Sequence, residues 1–268
     1  MSNLLVLGCS YSELDHHVKY GHRDNSYTIQ IKNELGFNNL INLAISGASP
    51  QMVNRLLFQY IANPRFGMPD FVFIQWPYAT RSEYYTDTIT SYTQAKLFAR
   101  TGESNGSIYS CKSYIGEDIN DFVDNKEYFV VDNSEWASTS ESAPGGQLNA
   151  HYRLTMDISQ QLINLSKEVF IAETLLDKLN IPYAYVESDT KINKYGTLPG
   201  LLSKEHENLK IYNYAKQLCH KKFLIPNCGI QLDSPTFAKD KYKDGHPGEL
   251  SHKRFAEYIT PKLKELIK

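Results

Sequence analysis

Short, unbroken apolar runs separated by helix-like stretches constrain this chain most. Asn3-Leu-Leu-Val-Leu7, Leu40-Ile-Asn-Leu-Ala44, Asp70-Phe-Val-Phe-Ile74 and Ile181-Pro-Tyr-Ala-Tyr-Val186 are each too short for a buried helix. Apolar residues at nearly every position, with no polar alternation, belong to strands covered on both faces. Between them lie helical patterns. Ser49-Pro50 sets a cap and a first-turn proline ahead of a stripe of Val53, Leu56, Leu57, Tyr60 and Ile61. Residues 156–179 repeat apolar positions at steps of four and three, Ile158, Leu162, Leu165, Val169, Ala172, Leu176 and Leu179. The last helix, about 249–267, turns Phe255, Ile259, Leu263 and Leu266 inward. A helix over Ser26–Leu35 is stopped by Gly36, although Tyr27, Ile29 and Ile31 alternate as in a strand. A weaker helix at 203–219 and a strand at Phe223-Leu-Ile225 complete the pattern.

Strands alternating with helices specify an α/β fold, a three-layer α/β/α sandwich around a parallel sheet of about five strands. The 268 residues fit a single domain over 1–268. Residues 82–150, rich in Ser, Thr, Tyr, Asn and Asp and lacking periodicity, read as an insertion or lid after strand three, with a short strand near Tyr128-Phe-Val-Val131.

Charge and composition exclude several classes. Lys plus Arg is 28 against 30 Asp plus Glu, so no nucleic-acid footprint is expected. No apolar run approaches the ~18 residues of a membrane span, and the first residues lack the basic start of a signal peptide. A cytoplasmic protein is the expectation, without a membrane partner. Cys9, Cys111, Cys219 and Cys228 have neither disulfide-framework nor zinc spacing. His16, His17 and His22, near Asp15 and Asp24, match no standard metal motif and read as a solvated loop. No metal or organic cofactor is expected. The glycine patterns of the standard nucleotide folds are missing, so Gly8–Ser12 is disfavoured as a phosphate loop.

In a parallel sheet the ligand lies beyond the C-terminal ends of the strands. After strand one comes Gly8-Cys9-Ser10-Tyr11-Ser12. A serine on a strand-to-helix turn presents its hydroxyl clear of the sheet, beside backbone N–H groups able to receive an oxyanion. A plain turn with Ser10 or Ser12 as helix cap is the competing reading. After strand two comes Asn42-Leu-Ala-Ile-Ser46-Gly47, where the glycine either admits a ligand to the backbone or merely turns the chain. Before the last helix stands Asp244-Gly245-His246-Pro247, a base with a nearby carboxylate or a polar turn. Cys9, leaving the strand on the side opposite Ser10, reads as a small buried residue, and His252 as a structural residue of the last helix.

Taken together, Gly-x-Ser, Asn-x-Ala-x-x-Gly and Asp-x-His-Pro, in this order, resemble the SGNH (GDSL-like) hydrolase family over nearly the whole chain apart from the insertion. The resemblance implies a flavodoxin-like sheet, a Ser10 nucleophile, a His246 base with Asp244 as its partner, and backbone donors at Ser10 and Gly47 for the oxyanion. Cys9 stands where the family commonly has Asp, and Asp244 lies two residues before the histidine instead of three. The family's Gly-x-Asn-Asp is replaced by Gln75-Trp76-Pro77-Tyr78-Ala79-Thr80-Arg81, so Gln75 or Arg81 is the candidate for the missing oxyanion or substrate donor. Arg81 also reads as a surface pair with Glu83. Asp240 and Asp233 are weaker substitutes for the acid. The implied activity is serine ester hydrolysis, with a small acyl group on a carbohydrate or other polar small molecule as substrate. A non-catalytic relative binding a glycan or protein, and an acyltransferase, are the alternatives.

Overall fold

The computed structural model describes residues 2–14, 23–45, 48–64, 66–77, 81–85, 128–132, 158–187, 237, 239–243 and 246–267. Strand β1, Asn3–Leu7, is buried along its whole length. It is followed by a 3-10 turn at Arg23–Asn25, helix α1 at Tyr27–Leu35, strand β2 at Asn39–Asn42, helix α2 at Pro50–Ala62 and strand β3 at Phe71–Trp76. Then come β4 at Arg81–Tyr85, β5 at Tyr128–Asp132, α3 at Ile158–Lys178, β6 at Tyr183–Glu187 and α4 at Glu249–Leu266.

Among the described residues the main sheet has four parallel strands in the order β2-β1-β3-β6. Helical crossovers join consecutive strands, as parallel pairing requires. The chain steps from β1 to β2 on one side and then crosses back to place β3 on the other. The gap between β1 and β3 is therefore the topological switch point, where such sheets open a ligand crevice. The fifth strand expected at Phe223–Ile225 lies outside the described residues, as does the helix expected at 203–219.

Alternation along the strands divides the interior in two. Leu4 and Val6 of β1, with Phe71 and Phe73 of β3, face Tyr27, Ile29 and Ile31 of α1 and Phe255, Ile259 and Leu263 of α4. Leu5, Leu7, Val72 and Ile74 face Val53, Leu56 and Leu57 of α2 and Leu165, Val169, Ala172 and Leu176 of α3. This is the three-layer α/β/α sandwich. It explains why the strands are apolar at successive positions: each strand serves two cores.

The helix boundaries follow local chemistry. The Ser26 hydroxyl accepts from the Thr28 N–H at 3.4 Å, and Gly36 closes α1 at φ 74°. The Ser49 hydroxyl accepts from the Met52 N–H at 3.1 Å, with Pro50 opening α2. Tyr27, Ile29 and Ile31 all lie buried although they alternate, because α1 packs against both the sheet and the neighbouring α4. Two expected inward positions are corrected. Leu179 and Leu266 are 38% and 40% exposed, because each falls at or beyond the last turn of its helix. The segment at 82–150 contributes β5, which pairs antiparallel with β4 from Arg81↔Asp132 to Tyr85↔Tyr128. Among the described residues no helix is long and apolar enough to cross a membrane.

Candidate active site at the sheet switch point

The turn after β1 is held from several directions. The Ser12 and Glu13 N–H groups donate to the Cys9 carbonyl at 2.9 and 3.2 Å. The turn that follows β2 is stitched to it: the Ile45 N–H donates to the Gly8 carbonyl at 3.1 Å, and Asn42 Nδ2 donates to the Ser12 carbonyl at 2.7 Å. Asn42 Oδ1 accepts from the Ala44 N–H at 2.9 Å, so one buried side chain fixes both turns. Gly8 is required by space. A Cβ there would meet Ser12 Oγ at 2.9 Å, Gln75 Cβ at 3.0 Å and the Gln75 carbonyl at 3.1 Å.

Ser10 is half-buried on this turn, whereas Cys9 is buried with its thiol 3.7 Å from Gln75 Oε1. The two side chains thus have different surroundings. Ser12 is wholly buried, and its hydroxyl bonds Gln75 Oε1 and the Tyr27 hydroxyl. Burial raises the Tyr27 phenol well above the ordinary tyrosine pKa, against the lowering effect of the Ser12 bond, so the group is a neutral donor.

His246 enters from the far end of the sequence. Lys241 and Pro247 form an antiparallel bridge, and the Tyr242 N–H donates to the His246 carbonyl at 2.8 Å. The His246 ring is half-buried and meets Tyr11 edge-on, with ring centres 5.9 Å apart. The residue after Ser10 is therefore in contact with the histidine. Gly248, immediately before α4, leaves room for Asp240, whose carboxyl carbon would lie about 2.5 Å from a Cβ at that position.

Asp240 caps α4. Its oxygens accept from the Leu250 N–H at 3.0 Å and the Ser251 N–H at 2.9 Å, and from the Ser251 hydroxyl at 2.8 Å. Burial alone would push its carboxyl up, but these hydrogen bonds prevail and hold it below the ordinary aspartate value. Asp240 is thus a structural cap, which accounts for both carboxylate oxygens. His252 is buried in α4, where its Nδ1 accepts from the Tyr27 N–H at 3.3 Å and its ring stacks on Tyr27 at 5.6 Å. That is the structural role expected of it.

Gln75 is buried at the end of β3, with its amide oxygen turned to Ser12 and Cys9. Arg81 stands on β4 opposite Asp132. Gly47, Asp244, Asp233, the histidines at 16, 17 and 22 and the cysteines at 111, 219 and 228 lie outside the described residues. Sequence reasoning missed Tyr11, Asn42 and Tyr27 as parts of the site's framework. Asn42 carried a signal, standing in the motif that ends in Gly47. Tyr27 and Ser12 carried none, because their partners are set by packing between layers.

No family model and no curated protein matches the chain. Among solved structures, the crystal structure of an acetyl xylan esterase, AlAXEase, is similar at TM-score 0.42 and 11% identity, covering 97% of this chain and 99% of that one. A likeness at that level assigns no activity.

Proposed function

We propose that this chain is a serine ester hydrolase of the SGNH type, removing a small acyl group, acetyl foremost, from a carbohydrate or another polar carrier. The observation that carries the reading is the contact of His246 with Tyr11, which brings the base candidate to the Ser10 turn at the switch point of the sheet. Ser10 Oγ attacks the ester carbonyl as His246 takes its proton, and Asp244 orients the ring. The tetrahedral oxyanion rests on the N–H groups of Ser10 and Gly47, with Gln75 or Arg81 as the further donor. Collapse expels the alcohol, which takes the proton from His246. Water then attacks the acyl-enzyme, giving its proton to His246, and Ser10 leaves with that proton as the acid departs. The scheme draws on no metal or organic cofactor.

The test is hydrolysis of p-nitrophenyl acetate and butyrate, with fluorophosphonate labelling, by the wild type, Ser10→Ala and His246→Ala. The wild type turns over and labels, acetate is preferred, and each variant loses about 10⁴-fold or more in kcat. A wild type that neither hydrolyses nor labels, or a Ser10→Ala variant that keeps its activity, overturns the proposal. One observation favours a second reading, non-catalytic binding of a glycan or protein. Gln75, near the C-terminal end of β3, is a candidate for the missing donor, yet its amide oxygen is engaged with Ser12. An acyltransferase would show itself by faster p-nitrophenol release when an alcohol acceptor is added.

A further inference from the structure

We infer that Tyr27, Ser12 and Gln75 form a one-way hydrogen-bond chain that sets the position of the Ser10 turn, making Tyr27 and Gln75 positioning residues for the reaction. This rests on the serine-hydrolase reading above. The direction of the chain follows from donor count. An amide oxygen only accepts, so the bond between Ser12 Oγ and Gln75 Oε1 consumes the single Ser12 hydroxyl proton. The Tyr27 hydroxyl must then be the donor to Ser12 Oγ. Tyr27 suits that task, being fully buried and held as a phenol. Its ring is fixed in turn by Phe255 at 4.8 Å, Phe73 at 6.1 Å and the stacked His252 ring.

Ser12 receives this chain while its own backbone is held at both ends. Its N–H donates to the Cys9 carbonyl and its carbonyl accepts from Asn42. Ser10 lies between those anchors. These anchors, at Gly8, Cys9 and Ser12, lie within two residues of Ser10, while Ser10 itself remains half-buried. The missing Cβ of Gly8 is the space in which Ser12 Oγ and Gln75 meet. A displacement of about 1 Å at a reacting group can cost about 10²-fold in rate. The Gln75 amide therefore acts on the chemistry through Ser12. This role belongs to the amide oxygen, whereas the oxyanion donation considered above would come from the amide nitrogen.

The decisive variant is Tyr27→Phe, which removes one oxygen and leaves the ring packed. Expected is a fall of about tenfold or more in both kcat for p-nitrophenyl acetate and the fluorophosphonate labelling rate, with KM within about twofold and the unfolding midpoint little changed. Gln75→Leu, which lacks an acceptor, falls in the same two readouts. Gln75→Glu, which keeps an acceptor, recovers most of the loss. If the wild type is active and Tyr27→Phe and Gln75→Leu label at its rate, the positioning role is wrong while the hydrolase reading stands. If the wild type neither labels nor turns over, both fall together.

Discussion

Asp240 shows how one carboxylate can prepare a site without entering it. Its oxygens occupy the free N–H groups at the start of α4, and its carbonyl accepts from the Gly248 N–H at 3.0 Å, two residues after His246. Replacing it by Ala should cost about 1–2 kcal/mol of stability, the usual value of a helix cap. The pH dependence has a definite sign. Because the folded carboxyl lies below the ordinary aspartate value of 3.8, its contribution is present above that value and fades as pH falls through the folded value. Urea midpoints of wild type and Asp240→Ala should therefore differ at pH 7 and draw together in acid, below the ordinary aspartate value. A gap that persists in acid would show that the carboxylate charge is not involved. Sequence spacing suggested Asp240 as a spare acid for the histidine. Its capping role was not legible there, because it depends on a reverse turn that brings residues ten apart together.

For the secondary-structure elements, the legible features were those written by neighbouring residues. Ser26 and Gly36 bracket α1, and Ser49-Pro50 opens α2, because capping bonds span two or three residues. The ends of α3 and α4 were less legible, since the apolar repeat continues past the sheet that buries it. Inside that limit the repeat is reliable. Leu176 is fully buried against the sheet, and Leu176→Ala should lower stability by about 2–5 kcal/mol in chemical denaturation. A loss below about 1 kcal/mol would mean that α3 does not pack as described. A polar tie between helices was not foreseeable. Asn54 of α2 donates to the Glu168 carbonyl at 2.8 Å and to its Oε2 at 2.6 Å, joining residues 114 positions apart. Gly8 marks the opposite case, where the reason for a glycine lies in β3. Gly8→Ala should displace Ser12 or Gln75 and reduce fluorophosphonate labelling along with stability. Unchanged labelling would remove Gly8 from the site's framework.

Across the molecule, the α/β class was legible because both-face burial leaves strands apolar at successive positions. Motif order singled out the turns that carry Ser10 and His246, and the structure brings those two turns together at Tyr11. The Ser12–Gln75 and Tyr27–His252 contacts were not. They depend on the register Leu7↔Ile74 and on the packing of α1 against α4, neither of which any local pattern records.

The layer formed by α1 and α4 joins an early and a late part of the chain, and this matters during synthesis. Until residues 249–266 have emerged, Phe73, Val6 and the Tyr27 ring lack the cover of Phe255, Ile259 and Leu263. The growing polypeptide therefore presents an uncovered apolar sheet face, the kind of surface that chaperones occupy and that drives aggregation. A chain stopped at residue 245 should be recovered insoluble or chaperone-bound, and supplying α4 as a separate peptide during refolding should restore solubility. A soluble, cooperatively unfolding truncation would show that the face finds other cover. The same stretch carries His246, so a half-made chain with its Ser10 turn already in place would lack the ring that meets Tyr11.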